Sequence, residues 1–157
     1  TLHLWRSTGQ GGRLRFTTFE AYPMTAADMR RAQAAFPEIA DLSEELAPYW
    51  ETSPTGFTLP DLQFTMILGD ARVTLPQWQG QADAWFLDGF SPAKNPEMWG
   101  EDLLAEVGRH TAAGGTAATY TAAGFVRRGL QATGFDVTRT QGYGSKRHMT
   151  VARMTPR

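Results

Sequence analysis

A short apolar run that stops on a carboxylate and turns at once constrains this chain more than any other stretch. Asp83-Ala84-Trp85-Phe86-Leu87-Asp88 is followed by Gly89-Phe90-Ser91-Pro92, then by Ala93-Lys94-Asn95-Pro96-Glu97-Met98-Trp99. The apolar part is too short and too closely punctuated by glycine and proline for a helix. It predicts a buried strand over 84–87 that delivers Asp88 to a turn. In open α/β sheets, ligands collect at the carboxyl ends of parallel strands, so an acid placed there meets whatever the crevice holds. The other reading of Asp88 is an Asx hydrogen bond that caps the turn, and an aspartate suits both.

The same punctuation divides the rest of the chain. Leu14-Arg15-Phe16-Thr17-Thr18-Phe19 is rich in β-formers and ends at Glu20, after a Gly9-Gln10-Gly11-Gly12 turn. Thr25-Ala26-Ala27-Asp28 is a capping pattern that predicts a helix to about 36, stopped by Pro37, with a second helix near 42–49. Phe57-Thr58-Leu59, a Pro60-Asp61 turn, a strand over 62–68 ending at Gly69-Asp70, and a short helix over 71–78 interrupted by Pro76 follow. Beyond the opening run, the spacing of Trp99, Leu103, Leu104 and Val107 predicts a helix over 98–110 that Gly114-Gly115 terminates. A strand over 116–120, a helix over 122–132 and a final pair of strands around Gly142-Tyr143-Gly144, the last over 147–152, complete the pattern. Strands alternating with helices over 157 residues predict a single α/β domain built on a doubly wound, mostly parallel sheet.

Composition matters mainly for what it excludes. A formal net charge of -1 advertises no polyanion partner, so any nucleic-acid contact must come from a local patch. Arg127-Arg128 and Lys146-Arg147, the latter beside His148 and near Tyr143, are dense basic clusters in the second half of the chain. Charge beside an aromatic face suits unstacked RNA bases, and it equally describes an ordinary solvated surface. With no cysteine there are no disulfides and no thiolate metal sites. His3, His110 and His148 lack ligand spacing, so no metal is expected. No apolar run approaches the ~20 residues of a membrane span, which leads us to expect a cytoplasmic chain. The five tryptophans read as packing residues.

Three predicted strands finish on an acid: Glu20, Asp70 and Asp88. Strand ends on one edge of a parallel sheet cluster, so the three are expected to line one crevice suited to a nucleotide. Glu20 matches the acid that accepts from both ribose hydroxyls. Asp70 suits an exocyclic adenine amine, with small Ala71 letting the ring approach.

The run 83–99, together with Thr121-Ala122-Ala123-Gly124-Phe125-Val126-Arg127-Arg128-Gly129-Leu130, resembles the methyltransferase domain of the bacterial tRNA 5-methylaminomethyl-2-thiouridine biosynthesis enzymes, the MnmC family. The resemblance extends from near Leu14 to near Val151. It implies a Rossmann-like methyltransferase sheet with an antiparallel C-terminal strand, and S-adenosylmethionine as cofactor, its ribose and adenine falling to Glu20 and Asp70. The implied reaction is N-methylation of the aminomethyl group on a tRNA wobble uridine. Asp88 would then orient and attract the amine, either as the acceptor of its proton or by positioning alone. Gly89 would permit close approach, Phe90 would pack on the base or shield the methyl path, and Lys94 and Asn95 would face phosphate or base edges. Arg127, Arg128, Lys146 and Arg147 would meet tRNA. The resemblance also implies a flavin-dependent oxidoreductase domain or partner outside this chain, the source of the aminomethyl substrate.

Leu2, Leu4 and Trp5 suggest a helix already under way at Thr1, and no initiator methionine precedes it. The expectation is therefore an N-terminally truncated fold, with its first strand and glycine-rich cofactor loop lying upstream. The Gly9–Gly12 turn is no substitute, since it leads into a strand rather than a helix. Two rival readings share the fold: a small-molecule amine or carboxylate methyltransferase, and a non-catalytic subunit lacking the cofactor loop.

Overall fold

The computed structural model describes residues 1–9 and 11–156, so Gln10 of the glycine turn lies outside the described residues. The chain divides into two compact units, Thr1–Asp70 and Ala71–Arg157.

In the first unit, α1 (Leu2–Ser7) precedes β1 (Leu14–Glu20), and β1 runs parallel to β3 (Leu62–Leu68) in register from Leu14 against Leu62 to Glu20 against Leu68. A parallel pair needs a crossover, and here it carries α2 (Ala26–Gln33) and α3 (Ala40–Thr52). The short β2 (Gly56–Thr58) pairs antiparallel with β3, giving the order β1-β3-β2. Thr25 caps α2 as its sequence predicts: its hydroxyl accepts from the Asp28 amide at 3.1 Å and bonds the Asp28 carboxylate at 2.8 Å. Helix α2 ends at Gln33, short of Pro37, which instead opens a 3-10 turn over Pro37–Ile39. A proline at the first helical position loses no hydrogen bond, so it starts a turn as readily as it stops a helix.

Leu2, Leu46, Phe57, Leu59, Leu62 and Phe64 form the core of this unit. Trp50 meets Phe57 and Phe64 edge-on, with ring centroids 5.0 and 4.8 Å apart. Arg6 ties α1 down from outside, bonding Glu45 at 2.6 and 2.8 Å and Asp61 at 2.6 and 3.1 Å. The forked guanidinium bridges two elements at once.

The second unit opens with α4 (Ala71–Thr74) and a 3-10 turn over Leu75–Gln77, followed by β4 (Ala82–Phe86). A 3-10 turn over Pro96–Trp99, α5 (Glu101–Arg109), β5 (Thr111–Thr119), α6 (Gly124–Ala132), β6 (Phe135–Gln141) and β7 (His148–Met154) complete it. Sheet order is β4-β5-β7-β6, with β4 parallel to β5 and the C-terminal β7 antiparallel to both its neighbours. The amphipathic helices α5 and α6 bury Leu103, Leu104, Val107, Val126 and Leu130. They approach closely at Gly129, where an added Cβ would lie 2.5 Å from Leu104 Cδ1.

Three expectations for this unit are corrected. The predicted helix over 98–110 divides at Gly100, and α5 ends at Arg109 without a glycine cap. Its last turn closes on itself, with Thr111 Oγ1 donating to the Val107 carbonyl at 2.6 Å, so the chain passes straight into a strand. Gly114-Gly115 consequently lie inside β5, which begins at Thr111 rather than 116. The strand carrying Asp88 is not buried either. Among the described residues β4 has β5 as its one neighbour, and Ala84 and Phe86 are exposed. No helix of the described chain is long and apolar enough to cross a membrane.

Candidate functional site

Parallel pairing of β4 with β5 sets the geometry around Asp88. Phe86 lies opposite Ala118, and the Leu87 amide donates to the Ala118 carbonyl at 2.9 Å. Continuing that register past both carboxyl ends brings Asp88 alongside Tyr120. The two sense each other electrically: burial raises the Tyr120 phenol above its ordinary value, and the negative charge of Asp88 raises it further. Lys146 Nζ sits 5.4 Å from the centroid of the Tyr120 ring, and Trp99 meets the same ring edge-on at 6.5 Å. Tyr120 joins the candidate site, and sequence reading missed it. The signal was available, since Tyr120 is the first residue beyond the strand that pairs with β4.

The turn after Asp88 is tightly built. An added Cβ at Gly89 would lie 3.0 Å from Met98 Cβ, so any side chain there would have to push Met98 aside by a few tenths of an ångström. Phe90 has φ 62, a left-handed conformation that a bulky side chain rarely adopts. Its carbonyl accepts from Trp99 Nε1 at 3.0 Å, and the Gly89 carbonyl accepts from Asn95 Nδ2 at 3.2 Å. Backbone amides of Lys94 and Asn95 both donate to the Ser91 carbonyl, at 2.8 and 2.9 Å. The Asn95 amide group is therefore engaged within the turn, whereas Lys94 is exposed at its rim.

Glu20 and Asp70 belong to the first unit and share one edge of its parallel pair. The Gly69 amide donates to the Glu20 carbonyl at 3.0 Å, bringing the Gly69-Asp70 step beside Glu20. Glu20 Oε1 accepts from the Tyr22 amide at 3.3 Å. Gly69 has φ 127, a conformation open to glycine, and Ala71 opens α4 directly after Asp70. Asp88 lies in the second unit, likewise at the carboxyl end of a parallel strand.

Of the basic residues, Arg128, Lys146 and Arg147 are exposed. Arg127 is half-buried, with its Nε out of contact with water. A groove of about 710 Å³ on the second unit is lined by Arg72, Glu97, Glu101, Asp102 and Glu106 among others, and none of the residues predicted from sequence. Four carboxylates there repel phosphate, which argues against a nucleic-acid site in this groove. Among the described residues no cluster of metal-ligating side chains exists.

A family model described as S-adenosyl-L-methionine-dependent methyltransferase matches residues 37–155. Over 142 residues, 87% of this chain and 22% of the relative, the sequence is 47% identical to the tRNA 5-methylaminomethyl-2-thiouridine biosynthesis bifunctional protein MnmC of Ectopseudomonas mendocina strain ymp. Over 144 residues, 88% of this chain and 22% of the relative, it is 48% identical to the protein of the same name from Pseudomonas aeruginosa strain UCBPP-PA14. The chain thus spans about a fifth of the length of these curated relatives. Among solved structures, MnmC2 from Aquifex aeolicus superposes with a TM-score of 0.65 at 24% identity, over 92% of this chain and 56% of that one, a likeness of fold.

Proposed function

The chain belongs to the S-adenosyl-L-methionine-dependent methyltransferase family, and from that premise we propose that it acts in tRNA modification, methylating the aminomethyl nitrogen of a modified wobble uridine. The substrate follows the names of its relatives. The observation that carries the reading is Asp88, exposed at the carboxyl end of β4 beside Tyr120 and on a turn built around Gly89 and Phe90.

Glu20 and Asp70 fit the cofactor by their chemistry. Two carboxylates at neighbouring strand ends offer the acceptors that ribose hydroxyls and an adenine amine require, and Ala71 adds no bulk beside them. When bound, S-adenosylmethionine supplies an electrophilic methyl group. The chain's own task is to present an amine with its lone pair free. An alkyl amine of pKa ~10 is largely protonated at neutral pH, so it must shed a proton before the nitrogen forms a bond to carbon. Asp88 attracts the ammonium, orients it and draws the proton away. Orientation alone contributes much of the rate in a reaction of this kind. Arg128, Lys146 and Arg147 supply exposed charge for tRNA phosphates, with Lys94 at the rim and half-buried Arg127 in a lesser part.

We read residues 1–157 as one methyltransferase-like domain working in the cytoplasm. A flavin-dependent oxidoreductase, in the same protein or a partner, would generate its aminomethyl substrate. Asp88→Asn tests the reading: methyl transfer to tRNA that carries the aminomethyl group should fall by at least ~100-fold, with S-adenosylmethionine affinity little changed. Turnover near that of the wild type would return Asp88 to the role of a turn cap.

A further inference from the structure

Phe90 combines two features that folding alone does not favour. Its backbone is left-handed, which crowds Cβ, and the residue is 75% exposed to water. Neither is relieved by packing of the side chain, so this geometry persists because the surrounding turn imposes it. The constraint is identifiable. Trp99, only 2% exposed, donates its indole N–H to the Phe90 carbonyl, and Asn95 holds the carbonyl of the preceding Gly89. The buried indole also meets the Tyr120 ring, over which Lys146 lies, so one core residue touches both the turn and the strand end beside Asp88. An outward aromatic side chain on a turn whose backbone is held by hydrogen bonds has the chemistry that recognises an unstacked nucleobase.

We propose that Trp99 is a positioning residue for substrate: through its hydrogen bond to the Phe90 carbonyl it locks the left-handed turn that holds the Phe90 ring out as the stacking face for the base bearing the acceptor amine. This rests on the proposed tRNA reaction and adds to it the element that grips the base. Trp99 acts through Phe90, so the two residues should not contribute independently.

The test uses tRNA carrying the aminomethyl group, with KM, kcat and S-adenosylmethionine affinity measured for each variant. Phe90→Ala should raise the tRNA KM roughly tenfold or more, the scale of one lost base–aromatic stack, while Phe90→Tyr keeps the stack and stays near wild type. Trp99→Phe should also raise that KM, and adding it to Phe90→Ala should cost nothing further. Cofactor affinity should be unchanged throughout. Phe90→Gly, which relieves the backbone, should lose tRNA affinity without lowering the unfolding midpoint. If Trp99→Phe fails to fold, Asn95→Ala removes the other side-chain hydrogen bond on the turn and carries the same expectation. An unchanged KM in Phe90→Ala, or losses that add in the double variant, would overturn the proposal. Wild-type protein that methylates a free alkyl amine but not this tRNA would instead overturn the tRNA reading, and the stacking role with it.

Discussion

Thr150 offers a direct measure of what holds the second unit's strand end in place. It is 1% exposed on β7, and its hydroxyl donates at 2.7 Å to the carbonyl of Thr121, itself buried in the β5–α6 connection. Thr121 in turn accepts from the Ala123 amide at 3.2 Å, so two hydroxyls brace the segment that begins at Tyr120. Thr150→Val keeps the shape and removes the donor. Withdrawing a hydrogen bond from a buried carbonyl costs about 1–3 kcal/mol. The added methyl returns at most ~0.8 kcal/mol of apolar burial. With that offset taken in full the net loss is about 0.2–2.2 kcal/mol, or up to roughly 4–9 °C in unfolding midpoint for a chain of this size. Circular dichroism melts and denaturant titrations should agree on that value, and amide exchange at Thr121 and Ala123 should quicken. A valine variant as stable as the wild type would show that the hydroxyl contributes nothing and that Thr150 is held by packing alone.

Three further outcomes are expected. Arg6→Met should destabilise the first unit by about 1 kcal/mol at neutral pH, since its partners are partly exposed. The hydrogen bonds from Arg6 hold the Glu45 and Asp61 carboxyls below their ordinary range, so their contribution is present above pH ~4 and vanishes as pH falls through the lowered values. The difference between wild type and variant in acid-dependent melts should shrink accordingly, and a gap that persists in strong acid would refute the ion-pair account. Asp88→Asn should bring the Tyr120 phenol down while leaving it above its ordinary value, because burial is the larger cause; ultraviolet titration against Tyr120→Phe reads this, and no movement would separate the two side chains. Arg128→Ala with Arg147→Ala should flatten the salt dependence of tRNA binding by about one unit of slope per phosphate contact, Lys146 being left to its place over Tyr120. Equal slopes would make both arginines ordinary surface.

Much of the scaffold was legible without coordinates, for a reason of range. Thr25 capping Asp28, the strand ends at Glu20 and Leu68, and the turn after Asp88 depend on residues a few positions apart, and local turn and cap chemistry decides them. The family resemblance likewise rested on two contiguous motifs. What failed was decided at longer range. Gly114-Gly115 carry an ordinary helix-stop signal, yet Thr111 had already closed α5 by bonding back to Val107, and pairing with β4 and β7 drew the region into β5. An apolar run over 84–87 reads as buried, but its exposure depends on how many neighbours a strand acquires, and β4 has one among the described residues. Tyr120 beside Asp88, and Trp99 bonded to Phe90, are likewise products of strand register and of a turn folding back on its own helix. Turn chemistry is written in adjacent residues, whereas the partner of a strand end or a buried indole is set by contacts that exist only once the chain has closed on itself.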